Sequence, residues 1–199
     1  MGERAETRER ILRAAVETLA TKGYAGTTAR AIARTGGFAP GVIYYYFDDQ
    51  EDLFLATAQY TSERRLARYR SELDGITSAT ELVRRLRELY AEDAAEGHIA
   101  AVQELIAGAS SSSRLGAQLR NHVQLWEGFA EEVARRFLTG TPFDQVIPVH
   151  EIAVGTVAFY LGLEMLTHLD GDRSRPELLF RSAEGVAALF DALRPSPGQ

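Results

Sequence analysis

Cysteine is absent. The chain therefore has no disulfide frame and no thiol chemistry, which suits a cytoplasmic protein. No basic-then-apolar segment at the N-terminus reads as a signal peptide, and no uninterrupted apolar run reads as long enough to span a bilayer. Strand-period alternation, internal repeats and low-complexity tracts are missing as well. So are the local signatures of catalysis: there is no Gly-rich phosphate loop, no His-Glu-x-x-His and no Ser nucleophile elbow. His98, His122, His150 and His168 stand at no ligand spacing. Neither an enzyme nor a bound metal or cofactor is expected.

What is present is helical periodicity. Hydrophobic residues make up 45% of the 199 residues, enough for a sizeable core. The net charge of −6 is unevenly divided. Residues 1–47 hold seven Lys or Arg (Arg4, Arg8, Arg10, Arg13, Lys22, Arg30, Arg34) against four Glu, a net +3, which leaves −9 for the remainder. Only the basic end is suited to lie against phosphate.

Residues 1–5 read as a mobile arm with a frayed terminus. A first helix runs from about Thr7 to Lys22-Gly23, with Ile11, Ala15 and Leu19 as one stripe and Leu12, Val16 and Ala20 beside it. A second runs from its N-cap Thr28 to Gly36, its apolar face made by Ala29, Ile32 and Ala33. Gly36-Gly37 stops it. Pro40 opens a two-turn third helix ending at Phe47, and Asp48 or Asp49 caps a long fourth that ends at Asp74-Gly75. Further helices are expected over about 80–96, 99–109, 114–138, 149–169 and 176–193. A loop covers 140–148, and a disordered tail covers 195–199. The expected fold is all-α: a three-helix N-terminal domain over residues 1–48 and a larger helical domain over 49–199.

A helix, a glycine turn and a short second helix form a helix-turn-helix, which sets its second helix in the major groove of DNA. The matching positions are Thr27, Thr28, Ile32, Ala33, Gly37, Phe38, Gly41, Ile43, Tyr44, Phe47, Glu51 and Leu53, with Arg8 to Tyr24 upstream. On these residues the first quarter of the chain resembles the DNA-binding domain of the TetR family of bacterial transcriptional regulators. The resemblance implies a homodimer made by pairing the last two long helices, and a small-molecule pocket enclosed by the fourth to eighth helices.

Two-fold symmetry would then demand an inverted-repeat operator. Thr28 and the backbone N–H groups near Ala39, Pro40 and Gly41 are placed to meet phosphates. Tyr44, Tyr45 and Tyr46 can pack on sugars, donate to phosphates or touch base edges; Val42 suits a thymine methyl. Arg30 and Arg34 are the nearest cations, and the resemblance adds Thr27 and Gln50. Four positions depart from the family pattern: Ala39 stands in place of a capping Ser or Thr, Pro40 of a polar residue, Tyr46 of a frequent His, and Gln50 of a phosphate-binding Lys. The third helix thus contains no Lys or Arg.

For the effector, Trp126, Phe129 and His122 on the seventh helix are candidates, together with Tyr160, Glu164 and His168, an i, i+4, i+8 polar stripe on the otherwise apolar eighth. Tyr90 and Glu104 are added. An internal Glu164 would favour a cationic ligand. The function expected is a repressor released from DNA by a small apolar or cationic molecule. The alternatives are an activator, a ligand-independent regulator, or a helical enzyme or scaffold.

Overall fold

The computed structural model describes residues 2–141, 144–172 and 174–193. Within them lie α1 (Gly2–Gly26), α2 (Ala29–Gly36), α3 (Gly41–Tyr46), α4 (Gln50–Leu73), α5 (Ala79–Ala95), α6 (His98–Gly108), a 3-10 turn (Ala109–Ser111), α7 (Ser113–Leu138), α8 (Val149–Asp170) and α9 (Ser174–Leu193). No strand occurs among the described residues. The tail expected over 195–199 and part of the loop expected over 140–148 lie outside them. Two compact units emerge, Met1–Arg65 with Glu92–His122, and Leu66–Ala91 with Val123–Gln199. They divide the chain differently from the expected boundary at residue 48. Within the first unit, Val16 and Leu19, one from each stripe of α1, pack with Phe54 and Ala58 of α4, Ala101 and Leu105 of α6, and Leu115 of α7.

In the first unit, Ile11, Leu12 and Ala15 of α1 close over Ile32 and Ala33 of α2, Ile43 of α3, and Phe47 and Leu53. The helix ends follow local chemistry. The Thr28 hydroxyl accepts from the Ala31 N–H at 3.2 Å. Gly37 takes φ 67, the left-handed region that glycine enters without strain, and so closes α2. Asp49 accepts from the Asp52 N–H at 2.7 Å while Asp52 accepts from the Asp48 N–H at 3.3 Å, a reciprocal cap on α4. The N-terminal arm is corrected: residues 2–5 are the first turn of α1. Pro40 sits just ahead of α3 with φ −54, already helical.

The elbow after α1 is held from α6. Gly23 bends the chain at φ 71. The Glu104 carboxylate accepts from the Tyr24 N–H at 2.7 Å. The Tyr24 ring stacks on Phe54 at 4.9 Å between centroids, and a Cβ on Gly108 would overlap that ring. Between α4 and α5, the Arg65 guanidinium donates to Asp93 at 2.6 Å, with the two side chains 6% and 0% exposed. His98, buried at the start of α6, lies 3.3 Å from Glu96. Burial, with Arg65 and Arg64 adding to it, pulls its proton affinity down against the opposing pull of Asp93 and Glu96.

In the second unit, Leu66, Tyr69 and Leu73 pack with Leu89 and Phe129. Asp191 of α9 caps α5 from afar. It accepts from the Ala79 and Thr80 N–H groups at 2.8 and 2.9 Å and from the Ser78 and Thr80 hydroxyls, both at 2.8 Å. Burial pushes its carboxyl upward, but these donors outweigh burial and hold it at about 2, against an ordinary 3.8. A depressed folded-state value gives stability that is present above the unfolded value and lost as pH falls through the folded one. Asp191→Ala is therefore expected to lower unfolding free energy by about 1–2 kcal/mol at pH 7, after allowance for solvent screening. That difference should shrink below about pH 4 and vanish near pH 2; urea melts at pH 7, 4 and 2.5 measure it.

Val149–Leu169 of α8 is long and apolar enough to cross a membrane by length and composition, and most of it is not buried within the chain. The same stretch carries His150, Glu151, Glu164 and His168. Ile152, Phe159, Met165 and Leu169 of α8 and Leu178, Val186, Leu189 and Leu193 of α9 are all at least half exposed.

Candidate functional site

The face built by α2, its glycine turn and α3 is set by the first core, which turns Ile32, Ile43 and Phe47 inward and leaves the alternate positions outside. Thr28, Arg30 and Arg34 of α2 and Ala39, Pro40 and Gly41 at the entry to α3 are exposed. Nothing lies within 4 Å of where a Gly41 Cβ would stand, so the surface there is open to a close neighbour. Tyr44 and Tyr45 are 63% and 67% exposed, whereas Val42 and Tyr46 pack partly on the core. One expected contact is corrected. Thr27 is fully buried, and its hydroxyl donates to the Gly23 carbonyl at 2.6 Å. The Gln50 amide donates to the Thr27 carbonyl at 2.7 Å. Thr27 thus ties the loop before α2 to the start of α4 and has no surface to offer a phosphate. Gln50 is exposed, with its amide engaged in that tie.

The residues expected to contact DNA leave out three arginines of α1 that lie over rings of α3 and its surroundings. Arg4 of α1 lies over the Tyr45 ring at 5.3 Å and the Tyr46 ring at 6.0 Å. Arg8 lies over Phe47 at 5.3 Å, and Arg10 over Phe38 at 5.4 Å. The signal was available: Arg4 and Arg8 are four apart and share a helix face, provided the helix begins before them.

The effector candidates are divided between the two units. Glu104 and His122 belong to the first unit, the other six to the second. Glu104 is committed to the Tyr24 N–H. His122 is 9% exposed, its ring nitrogen 3.3 Å from the Gln118 amide nitrogen. Burial lowers its proton affinity, opposed by the nearby Glu63. Trp126 and Phe129 form edge-on contacts with each other at 6.0 Å and with Tyr69 at 5.2 and 6.5 Å. This trio belongs to the second unit's core, where Trp126 is partly buried. Tyr90 meets Tyr160 edge-on at 6.3 Å and Phe180 at 5.5 Å. Of the α8 stripe, Glu164 is buried at 4% exposure, Tyr160 half-buried and His168 exposed. The stripe therefore curves from the interior into solvent instead of facing one cavity. A groove of about 550 Å³ runs between α8 and α9 past Phe159, Leu163, Met165, Arg175 and Leu178. A second, of about 450 Å³, is lined by Arg70, Leu73, Phe129, Glu132 and Arg136. Phe129 alone among the eight candidates borders either groove. No group of three or more His, Asp or Glu that could hold a metal occurs among the described residues.

Residues 11–57 match the model of the bacterial regulatory proteins of the tetR family. The chain is 32% identical over 128 residues to the HTH-type transcriptional regulator UidR of Escherichia coli K12, a match spanning 64% of each protein. It is 40% identical over 57 residues to the HTH-type transcriptional repressor AcnR of Corynebacterium diphtheriae, 29% of this chain and 30% of that one. Among solved structures, a TetR-family regulator from Rhodococcus superposes with a TM-score of 0.75 at 25% identity, covering 94% of this chain and 99% of the other.

Proposed function

Because the chain belongs to the TetR family of bacterial regulatory proteins, we propose that it is a DNA-binding transcriptional repressor that a small apolar or cationic molecule releases from an inverted-repeat operator. Residues 1–48 read DNA; residues 49–199 bind the effector and form the homodimer. The observation that carries the reading is the α2–α3 face. Its inner residues are consumed by a three-helix core while Tyr44 and Tyr45 stand exposed beside Thr28, Arg30 and Arg34. The family is one of regulators, not enzymes. Such a regulator works on chromosomal DNA and so in the cytoplasm.

The exposed apolar residues of α8 and α9 support a second copy as their cover. A surface of this size and character is unfavourable on a monomer. Among the described residues, nothing approaches the Cβ positions of Gly155 and Gly162 within 4 Å, which leaves room for a partner helix. Glu164, 4% exposed on an apolar helix, supports a cationic group on the effector. Regulation follows from linkage. A ligand that binds better to a conformation with mis-spaced DNA-reading heads weakens DNA binding by its differential affinity, and DNA weakens ligand binding by the same factor. Helix α4, whose first turn adjoins the helix-turn-helix and which runs on to Leu73, is the lever in this reading.

A fluorescence-anisotropy titration on the DNA flanking the protein's own gene, with a scrambled duplex and a salt series, tests the proposal. Binding should prefer the flanking duplex. Since α3 holds no Lys or Arg, the salt slope should correspond to fewer than about ten phosphates per dimer. Equal, weak binding to both duplexes would count against an operator there, and a slope at or above ten phosphates would count against a charge-poor reading head.

A further inference from the structure

Resting on the DNA-reading function just given, we propose that Arg4 is a phosphate contact of the recognition helix, a cation supplied by α1 and laid across the tyrosines of α3. Three observations converge on it. First, α3 (Gly41–Tyr46) has no cation of its own, yet presents Tyr45 at 67% exposure. Second, the Arg4 guanidinium sits over both Tyr45 and Tyr46, at 5.3 and 6.0 Å from the ring centroids, and is itself exposed. An exposed guanidinium held over aromatic rings uses no N–H in that contact's charge attraction and keeps its donors for a phosphate. Third, the charge is not explained by α1. Arg4 lies in the first turn, at the positive end of the helix dipole, where a cation is unfavourable. It makes no ion pair among the described residues, although Glu3 and Glu6 are near in sequence. What the position does provide is positive charge on the exposed tyrosines. Arg8 and Arg10 differ, because the rings beneath them, Phe47 and Phe38, are buried or half-buried parts of the small core.

A phosphate contact carries no sequence information and contributes about one unit of salt slope. Arg4→Gln, which keeps side-chain length and removes charge, is to be compared with Arg4→Lys and the wild type. The probes are the duplex that the wild type enriches from a randomised 30-base-pair pool and a scrambled version of it. Anisotropy is read from 50 to 300 mM KCl, and thermal melts of each variant confirm the fold. Arg4→Gln should reduce the slope by about two per dimer and weaken both duplexes by a similar factor, about tenfold near 100 mM salt. Arg4→Lys should restore the slope. An unchanged slope with reduced affinity would overturn the proposal and leave Arg4 as a support for the tyrosines. Weakening confined to the enriched duplex would overturn it in favour of base reading. If the wild type enriches no duplex, the DNA-reading function itself falls, and this contact with it.

Discussion

Asp93→Ala is expected to lower the thermal midpoint by about 10 °C, a larger stability loss than any single apolar truncation on the protein's surface. Asp93 is fully buried, and its carboxylate lies 2.6 Å from Arg65 Nε, on a side chain only 6% exposed. Taking two charges out of water costs several kcal/mol per ion; their attraction returns most of it only while both are present. Removing the carboxylate strips the guanidinium of this acceptor in a place where water does not replace it. The expected cost is about 3–5 kcal/mol, and a chain of this length loses roughly 2–4 °C per kcal/mol. The companion variant separates charge from volume. Arg65→Met combined with Asp93→Leu should recover part of the loss, because neither member of this pair is then left facing a missing partner. Calorimetry of both variants measures this. A loss below about 2 °C for Asp93→Ala would mean that water reaches the pair.

The second large effect concerns assembly. Val186 and Leu189 are one turn apart on α9 and 69% and 62% exposed in a single chain. If α8 and α9 pair across a two-fold axis, each of these residues is buried twice per dimer. Every buried Val or Leu side chain then contributes about 1.5–3 kcal/mol. Val186→Glu with Leu189→Glu replaces that contribution with four carboxylates at one interface. Sedimentation should show a monomer at micromolar concentration. DNA affinity should fall by about a hundredfold or more, since two heads no longer bind as one unit. The helical circular-dichroism signal should persist, because neither side chain is in the core of its own chain. A dimer of unchanged stability would place the interface elsewhere.

Much of the fold is legible because its boundaries are set by neighbours in sequence. Thr28 caps α2 by reaching three residues ahead, Gly37 ends it with a local conformation, and Asp49 caps α4 in the same way. The stripe of Ile11, Ala15 and Leu19 shows which face of α1 is inside. Periodicity does not say what that face will meet. Nothing around Glu104 points to Tyr24, 80 positions away, and nothing around Asp191 points to the start of α5. Asp93 sits in a run of charged and small residues that reads as solvated, until Arg65 of another helix is placed beside it. The exposure of the α2–α3 surface was legible apart from Thr27, whose burial needs the turn after α1 to be folded and tied to Gln50. The surroundings of the effector candidates were the least legible. A pocket depends on which helices leave a gap, so Trp126 and Phe129 went to the core with Tyr69, while His168 went to solvent.

The tie between α6 and the elbow after α1 bears on how such a protein diversifies. Glu104 holds the Tyr24 amide, and Gly108 leaves room for its ring. The first 48 residues therefore do not form an interchangeable cassette. A recombination event that joins one reading head to a different body must bring a carboxylate and a small residue one helical turn apart on the incoming sixth helix. Without them it leaves a bare amide and a displaced tyrosine at the junction. If α3 reads DNA as proposed, new specificities are reached more readily by substitution on its exposed face, which owes nothing to that fit, than by exchange of whole domains.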